Sequence, residues 1–506
     1  MYDRRSFLKA SGAVLGTSLM SGAAGAQYDQ FEGYRLVGEA PVQGINEVVA
    51  RGDWAYATSQ GSITTININD PTTPFVAGRA EGEDATDTPD VDVAGDVAAL
   101  AHNDGVPGVS LFDISDPTNP TFETFYEDKD TVHNCFLKED PDDGRIYAYL
   151  CISDSFAKAR MVIVDVTDPA NPETLEGKDP SYTSGSEDVP DGSGDSDDER
   201  GTGGAWMLQD AQPKMANGSN SPIHDMYVAE DDEGNQLAYN CFWDSGMVVV
   251  DVTDKRNPVA VGHFGGTSDA TGDLVDYIVG EKTNAHYCQP TPNQDYAFVG
   301  AETFPGPAAP PGEDTVQPNG DHGGLRVFDT RDVQPLAKGG RAVYPEVDRR
   351  AIKERGYTVS DVGDRYSRLS EEDRPDPYQN PSPDRGNGRK SANMVAYLDA
   401  PEGADDAALT SHNFDVTDEM LVSSFYQGGV RAYDLTTLYS GGDYENHARQ
   451  PRAPVEIGAF APDGMAFWTA VDVDYEEDPD RIFTMGADIG KGAVMLELER
   501  GGSSPI

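Results

Sequence analysis

The sequence predicts an all-β protein built as a seven-bladed β-propeller, in which an N-terminal strand completes the last blade. The main observation is a phrase that returns along the chain. Its clearest copies are ITTININDPTTP from Ile63, VSLFDISDPTNP from Val109, MVIVDVTDPANP from Met161 and VVVDVTDKRNP from Val248. Each copy is a short β-branched run closed by Asp-Pro or a related turn, which is typical of a strand and not of a helix. Such repetition predicts one structural unit used many times.

Two further phrases recur upstream of this one and give the unit several strands. The copies of the first are VHNCFL from Val132, IHDMYV from Ile223, AHYCQP from Ala285 and SHNFDV from Ser411. The copies of the second are YAYLCISDS from Tyr147, LAYNCFWDS from Leu237 and LVSSFYQGG from Leu421. A fourth run follows the Asp-Pro turn, as in PVAVGHF from Pro258. Four strands in roughly forty residues are typical of a propeller blade.

The number of blades follows from the third strand of the unit. Its copies begin at Ile63, Val109, Met161, Val248, Leu325, Val430 and Val494. The last copy has no fourth strand after it, whereas YRLVGEA from Tyr34 has the pattern of a fourth strand without a blade. We therefore expect the N-terminal strand to complete blade seven, which would remove the open sheet edges.

The third strand and its DxxxP turn resemble the LVIVD repeat, which defines a group of β-propeller proteins. The resemblance extends from about Tyr34 to Leu498. It implies the propeller fold but leaves the function open, because propellers serve as enzymes, receptors and scaffolds alike.

The N-terminus predicts export. Arg4 and Arg5 precede an apolar, small-residue stretch that ends at Ala24-Gly25-Ala26. This pattern indicates a twin-arginine signal peptide over residues 1–26, so that residues 27–506 form the mature propeller. We expect no transmembrane segment, since this stretch is too short to span a bilayer and no second apolar segment follows. The expected location is extracellular or at the cell surface.

The charge of the chain restricts its partners. Lys and Arg number 37 against 89 Asp and Glu, a formal net charge of −52. The imbalance resembles haloarchaeal proteins, whose acidic surfaces work in concentrated, screening salt. An anionic surface argues against nucleic acid and anionic membranes as partners. We expect a monomer whose partner is a small molecule or a cell-surface protein.

Three stretches interrupt the repeats, near residues 178–221, 303–322 and 332–392. All are rich in Pro, Gly, Ser and acidic residues, and we interpret them as insertions within or between blades. No phosphate-binding glycine loop, nucleophile elbow or HExxH sequence is present in the chain.

Four of the eight histidines occupy one equivalent position, at the start of the inner strand of successive repeats. They are His133, His224, His286 and His412. The residues that end the second strand should lie on the same propeller face, and these are Asp154, Asp244, Glu302 and Gln427. Imidazoles with carboxylates behind them are typical of a copper, iron or zinc site, in which the carboxylates orient the rings. The alternative is a structural habit that the repeats have duplicated.

Aromatic residues lie near the same predicted mouth. Trp243, Tyr426 and Trp468 could contact a ligand together with Gln427, or they could simply fill the space between blades.

The four cysteines allow three disulfide connectivities. Cys135 and Cys151 flank the EDPDDGR turn almost symmetrically, which favours a bridge across that hairpin. Cys241 and Cys288 could pair or stay reduced. Two-residue spacing from His133 also predicts that Cys135 shares the face of that histidine and could serve a metal.

Three functions are compatible with these patterns. The leading hypothesis is an exported ligand-binding or interaction module with a metal site on its histidine-lined face. The alternatives are a metal-dependent oxidoreductase that uses the four histidines and a purely structural surface scaffold.

Overall fold

A computed structural model describes residues 33–85, 87–128, 131–152, 159–175, 206–207, 222–231, 234–243, 246–256, 258–264, 285–302, 323–331, 333, 394–403, 407–439, 453–475 and 481–498. The expected signal peptide and nearly all of the three expected insertions lie outside these residues. Within the described part, no helix is long and apolar enough to cross a membrane.

The described chain forms seven antiparallel sheets with four strands each, one of which has a short fifth strand, so the predicted seven-bladed propeller is confirmed. Blade one contains β2 (Val48–Arg51), β3 (Trp54–Thr58), β4 (Ser62–Asn67) and β5 (Phe75–Glu81). Blade two contains β6 (Val91–Ala94), β7 (Val97–His102), β8 (Gly108–Asp113) and β9 (Thr121–Glu127). Blade three contains β10 (Val132–Glu139), β11 (Ile146–Ile152), β12 (Arg160–Asp165) and β13 (Glu173–Thr174), with β14 (Trp206–Met207) paired to β12.

The later blades repeat this order. Blade four contains β15 (Ile223–Glu230), β16 (Gln236–Phe242), β17 (Gly246–Asp251) and β18 (Val259–Phe264). Blade five contains β19 (Ala285–Pro290), β20 (Tyr296–Ala301), β21 (Leu325–Asp329) and β22 (Met394–Leu398). Blade six contains β23 (Phe414–Val416), β24 (Met420–Ser424), β25 (Val430–Asp434) and β26 (Val455–Phe460), with the short helix α1 (Thr436–Tyr439) after β25. Blade seven contains β27 (Phe467–Val473), β28 (Ile482–Asp488) and β29 (Gly492–Leu498).

The N-terminal strand β1 (Tyr34–Ala40) is the fourth strand of blade seven, as predicted. It pairs antiparallel with β29, beginning with Tyr34 opposite Leu498. The Tyr34 ring is buried, and its hydroxyl is 2.7 Å from Thr484 Oγ1 of β28. The two ends of the ring are therefore joined both by backbone pairing and by a buried side chain.

The repeated Asp-x-Thr/Ser sequence closes the third strand through a side-chain turn. The Asp165 carboxylate accepts hydrogen bonds from the Thr167 backbone N–H at 3.0 Å and from the Thr167 hydroxyl at 2.6 Å. Thr167 Oγ1 in turn accepts the Ile146 N–H at the start of the second strand. Asp and Thr favour such local turns because their short side chains reach the backbone two residues away. The recurring phrase thus encodes the turn as well as the strand.

The prolines of this phrase explain the glycine in two of the outer strands, β1 and β5. A Cβ atom on Gly38 would lie 2.4 Å from Pro74 of blade one, and a Cβ atom on Gly78 would lie 2.6 Å from Pro120 of blade two. Only glycine allows the outer strand and the neighbouring turn to approach so closely.

The hydrophobic core lies between adjacent blades. One cluster combines Tyr149 and Ile163 of blade three with Met226 and Val250 of blade four. Burial of each such side chain contributes about 1.5–3 kcal/mol. Each of the large clusters joins two neighbouring blades, so the core is continuous around the ring.

The expected Cys135–Cys151 disulfide is wrong. All four cysteines are buried, free thiols. In the register of the hairpin, Cys135 is paired with Leu150, and Cys151 is paired with Asn134. An offset of one residue places the two side chains on opposite faces of the sheet. Cys135 packs toward blade two, whereas Cys151 packs toward blade four.

Candidate metal centre

A β-bulge positions the predicted histidines. In blade three the register shifts between Val132 and Asn134, so that His133 is the extra residue of the inner strand. Blade four has the same shift around His224, and blade five has it between Ala285 and Cys288, around His286. Bulges of this kind redirect a side chain and are frequent next to functional sites. The bulge also breaks the alternation of side chains, which is why Cys135 does not share the face of His133.

The four histidines lie side by side, as predicted, and form what we call the histidine arc: His133, His224, His286 and His412. Consecutive ring centroids are 4.2, 4.0 and 4.0 Å apart. All four residues are buried. Blade seven continues the row with Trp468, which is the extra residue of its own bulge and lies 4.2 Å from the His412 ring.

A chain of hydrogen bonds orients the first ring of the arc. Asn103 Nδ2 donates to Asp87 Oδ2 at 2.8 Å, so Asn103 Oδ1 faces His133 Nδ1 at 2.9 Å. His133 therefore carries its proton on Nδ1, and its Nε2 presents a lone pair. That Nε2 atom is 3.1 Å from His224 Nε2. A neutral imidazole whose orientation is fixed through its other ring nitrogen is the form that binds a metal ion.

Glu302 lies at the other end of the arc. Its Oε2 atom is 3.6 Å from His286 Nε2, and its Oε1 atom is 3.9 Å from His412 Nε2. The Tyr426 hydroxyl donates to Oε1 at 2.6 Å. Glu302, which follows the end of a second strand, therefore lies beside two of the histidines. Its closeness to two rings makes it a direct ligand candidate, not only a group behind them.

Two overlapping sets of side chains could hold an ion. They are His224 with Asp225 and His286, and His286 with Glu302 and His412. Within each set, the ligand atoms lie within 4.8 Å of one another. Tetrahedral ligands at about 2.0–2.1 Å from a zinc ion lie about 3.3 Å apart. In the second set, the Glu302 oxygens lie 3.6 Å from His286 Nε2 and 3.9 Å from His412 Nε2, which is close to that value.

Aromatic side chains border the arc. Trp243 stacks on His224 with centroids 5.1 Å apart and an interplanar angle of 27°. Tyr426 and Trp468 both contact His412. Tyr426 has a φ of 47°, a strained conformation for a residue with a side chain, and such strain is concentrated at functional sites.

The remaining predicted site residues behave differently. Asp154 and Asp244 lie outside the described residues. Gln427 is exposed, and its Oε1 atom accepts the Ala408 N–H, so it belongs to the loop and does not reach the arc.

Sequence analysis missed three contributors: Asp225, Asn103 and Asp87. Asp225 directly follows His224, and strict alternation places it away from the histidines, whereas the bulge places it beside them. Asn103 and Asp87 come from blade two, whose inner strand lacks the histidine. Asn103 directly follows His102 at the end of a second strand, the kind of position that identified Glu302.

His102 is a buried histidine outside the arc, and its surroundings differ from those of the four arc histidines. Its Nε2 atom is 2.9 Å from Ser110 Oγ, and its ring packs on Phe125. Burial lowers the pKa of His102 to about 4. This ring is a neutral core residue.

Comparison with protein families agrees with the repeat pattern. The family model described as LVIVD repeat matches residues 85–128, 147–177 and 235–265. The chain contains LVIVD repeats. No curated protein matches this sequence. Among solved structures, the chain is similar to the crystal structure of the Myceliophteria thermophila Cps50 (Swd1) β-propeller domain, with 10% sequence identity, a TM-score of 0.45 and coverage of 92% of this chain and 99% of that chain.

Proposed function

We propose that this protein is an exported, salt-adapted β-propeller that binds one transition-metal ion, copper, iron or zinc, at the histidine arc. The bound ion would hold a small-molecule ligand or a group of a cell-surface partner. The twin-arginine sequence and the net charge of −52 support the export and the saline setting.

The observation that carries the proposal is the convergence of imidazole nitrogens and one carboxylate. His133 Nε2 and His224 Nε2 are 3.1 Å apart, and Glu302 lies between His286 and His412. A purely structural histidine needs only a local partner, as His102 finds in Ser110. Imidazole nitrogens and a carboxylate that converge from separate blades are an arrangement that can hold one ion.

The aromatic border supports a ligand at the same place. Trp243 flanks the arc beside His224, and Trp468 flanks it beside His412. Apolar walls around a few convergent polar groups are typical of small-molecule sites. We infer that the ligand combines a metal-binding donor atom with an apolar or planar portion.

The test is metal content, measured by mass spectrometry on mature protein folded in concentrated salt. We expect near-stoichiometric copper, iron or zinc in the wild type and loss of the ion in the His224→Ala, His412→Ala double variant. His102→Gln is the control, because it changes a buried histidine outside the arc. Circular dichroism checks that each variant folds. Absence of metal from the wild type, even after reconstitution with each ion, would refute the proposal.

A further inference from the structure

A second group of polar side chains lies next to the histidine arc, on the inner strands. We call it the polar layer, and it contains Glu47, Asp90, Asn134, Asp225, Asn413 and Thr469. Each of them is at least nine-tenths buried. In blades three, four and seven the layer residue is the one that follows the bulge residue.

Hydrogen bonds across blades join the members of this layer. Asn134 Nδ2 donates to Asp225 Oδ2 at 2.6 Å, and Asn413 Nδ2 lies 3.4 Å from the same oxygen. Asn413 Nδ2 also donates to Glu47 Oε2 at 2.8 Å, and the Thr469 hydroxyl donates to Glu47 Oε1. Two amides from different blades therefore converge on the Asp225 carboxylate.

The oxygen atoms of these two amides have no hydrogen-bond partner. Asn134 is 4% exposed and Asn413 is 5% exposed, yet neither Oδ1 atom accepts a hydrogen bond. A buried polar oxygen without a partner costs about 1–3 kcal/mol. Native proteins rarely leave such groups unsatisfied. Two such oxygens beside buried carboxylates therefore point to a cation that takes oxygen ligands.

The charge of the layer points the same way. Glu47, Asp90 and Asp225 are buried carboxylates, and in the part of the chain that the structure describes no Lys or Arg forms an ion pair with them. Burial and the nearby Asp90 carboxylate raise the pKa of Glu47 well above the usual range. Buried like charges need compensation by protons or by a cation.

We propose that the polar layer binds one calcium ion through the carboxylates of Glu47 and Asp225 and the amide oxygens of Asn134 and Asn413. Calcium takes six to eight oxygen ligands, and carboxylate and amide oxygens are its usual protein donors. The layer offers oxygen donors only, in contrast to the imidazoles of the arc, which suit a transition metal. The amide groups turn their oxygens toward the ion when it binds.

The layer and the arc meet at Asp225, whose carboxylate lies with His224 and His286 in one set of convergent ligand atoms. A calcium ion would hold Asp225 in place beside these rings. The two sites share Asp225, but Glu47, Asn134 and Asn413 belong only to the layer, so variants at these three residues test the calcium site separately.

The experiment is calcium titration of the full mature protein after treatment with a chelator, followed by calorimetry and by thermal unfolding. Molar potassium chloride screens the acidic surface. We expect one calcium ion per chain and a higher unfolding temperature in its presence. Glu47→Gln retains acceptor capacity for Asn413 and Thr469 but removes the charge, so calcium affinity should fall at least tenfold. Asp92→Asn is the matched control, because the Asp92 carboxylate lies outside the layer and accepts a hydrogen bond from the Leu137 N–H. This variant should bind calcium as the wild type does.

A second variant keeps the test decisive if Glu47→Gln folds poorly. Asn413→Asp adds a carboxylate to the layer, so it should unfold at a lower temperature without calcium and gain more from calcium than the wild type. Titration with Zn²⁺ separates the two sites, since Glu47→Gln should leave zinc binding at the arc unchanged. No heat and no change in unfolding temperature up to about 10 mM calcium, beyond the range of weak protein sites, would overturn the proposal. So would a calcium response that is equal in wild type and Glu47→Gln.

Discussion

Asn103 provides a sharp test of the arc, because it orients His133, a proposed metal ligand, without being a ligand itself. Replacing it by leucine keeps the approximate side-chain volume but removes both the acceptor for His133 Nδ1 at 2.9 Å and the donor to Asp87 at 2.8 Å. The His133 ring then loses the contact that places its lone pair toward His224.

The expected magnitude has two parts. Loss of an acceptor for a buried donor costs about 1–3 kcal/mol of the free energy of unfolding. Loss of a group that orients a metal-binding imidazole typically weakens metal affinity 10–100-fold, which corresponds to about 1.4–2.7 kcal/mol. If the histidines are merely structural, only the first effect occurs.

Both parts can be measured on Asn103→Leu. Urea unfolding of the metal-free protein gives the stability change, and competition with a chromogenic chelator gives the metal affinity. Ser110→Ala is the matched control, since it removes the partner of His102 and should lower stability without changing metal affinity. Equal metal affinity in Asn103→Leu and the wild type would refute the assigned role of Asn103.

Variants at three other residues test separate parts of the structure. Tyr34→Ala should lower the free energy of unfolding by about 3–5 kcal/mol in urea titrations, and Tyr34→Phe by only about 1–2 kcal/mol, because the phenylalanine keeps the packing; equal losses would contradict the role of this ring in closure. Burial and two neighbouring carboxylates raise the pKa of Asp472 to about 7, so the folded state retains a proton that the unfolded state releases from about pH 4 upward. Stability should therefore fall as pH rises through this window, by at most about 1.4 kcal/mol per unit, and Asp472→Asn should reduce that slope; an unchanged slope would contradict the shift. Tyr426→Phe removes the hydrogen bond to Glu302 and should weaken metal affinity about tenfold, as measured by the same chelator competition; an affinity equal to that of the wild type would show that Tyr426 does not orient Glu302.

The architecture could be predicted from the sequence because the repeat is local. The Asp165-Val166-Thr167 turn and its equivalents are made by neighbouring residues, so each copy of the phrase predicts the end of a strand without reference to the rest of the chain. Closure by Tyr34 could also be predicted, since the last blade lacked a strand and the first residues supplied one. The register of the hairpin that contains Cys135 and Cys151 depends on how its connecting turn folds, and a nearly symmetric spacing does not determine it.

The site could be predicted only in part. The shared position of the histidines in their repeats was sufficient to bring them together, and the end of a second strand correctly located Glu302. Strict alternation failed at the bulges, which place Asp225 beside the rings and direct Cys135 away from them. The hydrogen bond between Asn103 and His133 joins two neighbouring blades, and the sequence pattern of a single repeat cannot predict a contact of this kind.

The central claim is that imidazoles of the arc ligate the bound ion. X-ray absorption spectroscopy of the metal-loaded protein in concentrated salt tests it most directly, because a surface with a net charge of −52 also attracts metal ions to its carboxylates. Our account predicts nitrogen scatterers at about 2.0–2.1 Å with the outer-shell pattern of at least two imidazole rings, and loss of that pattern in the His224→Ala, His412→Ala variant. A shell of oxygen alone, unchanged in the variant, would contradict the account.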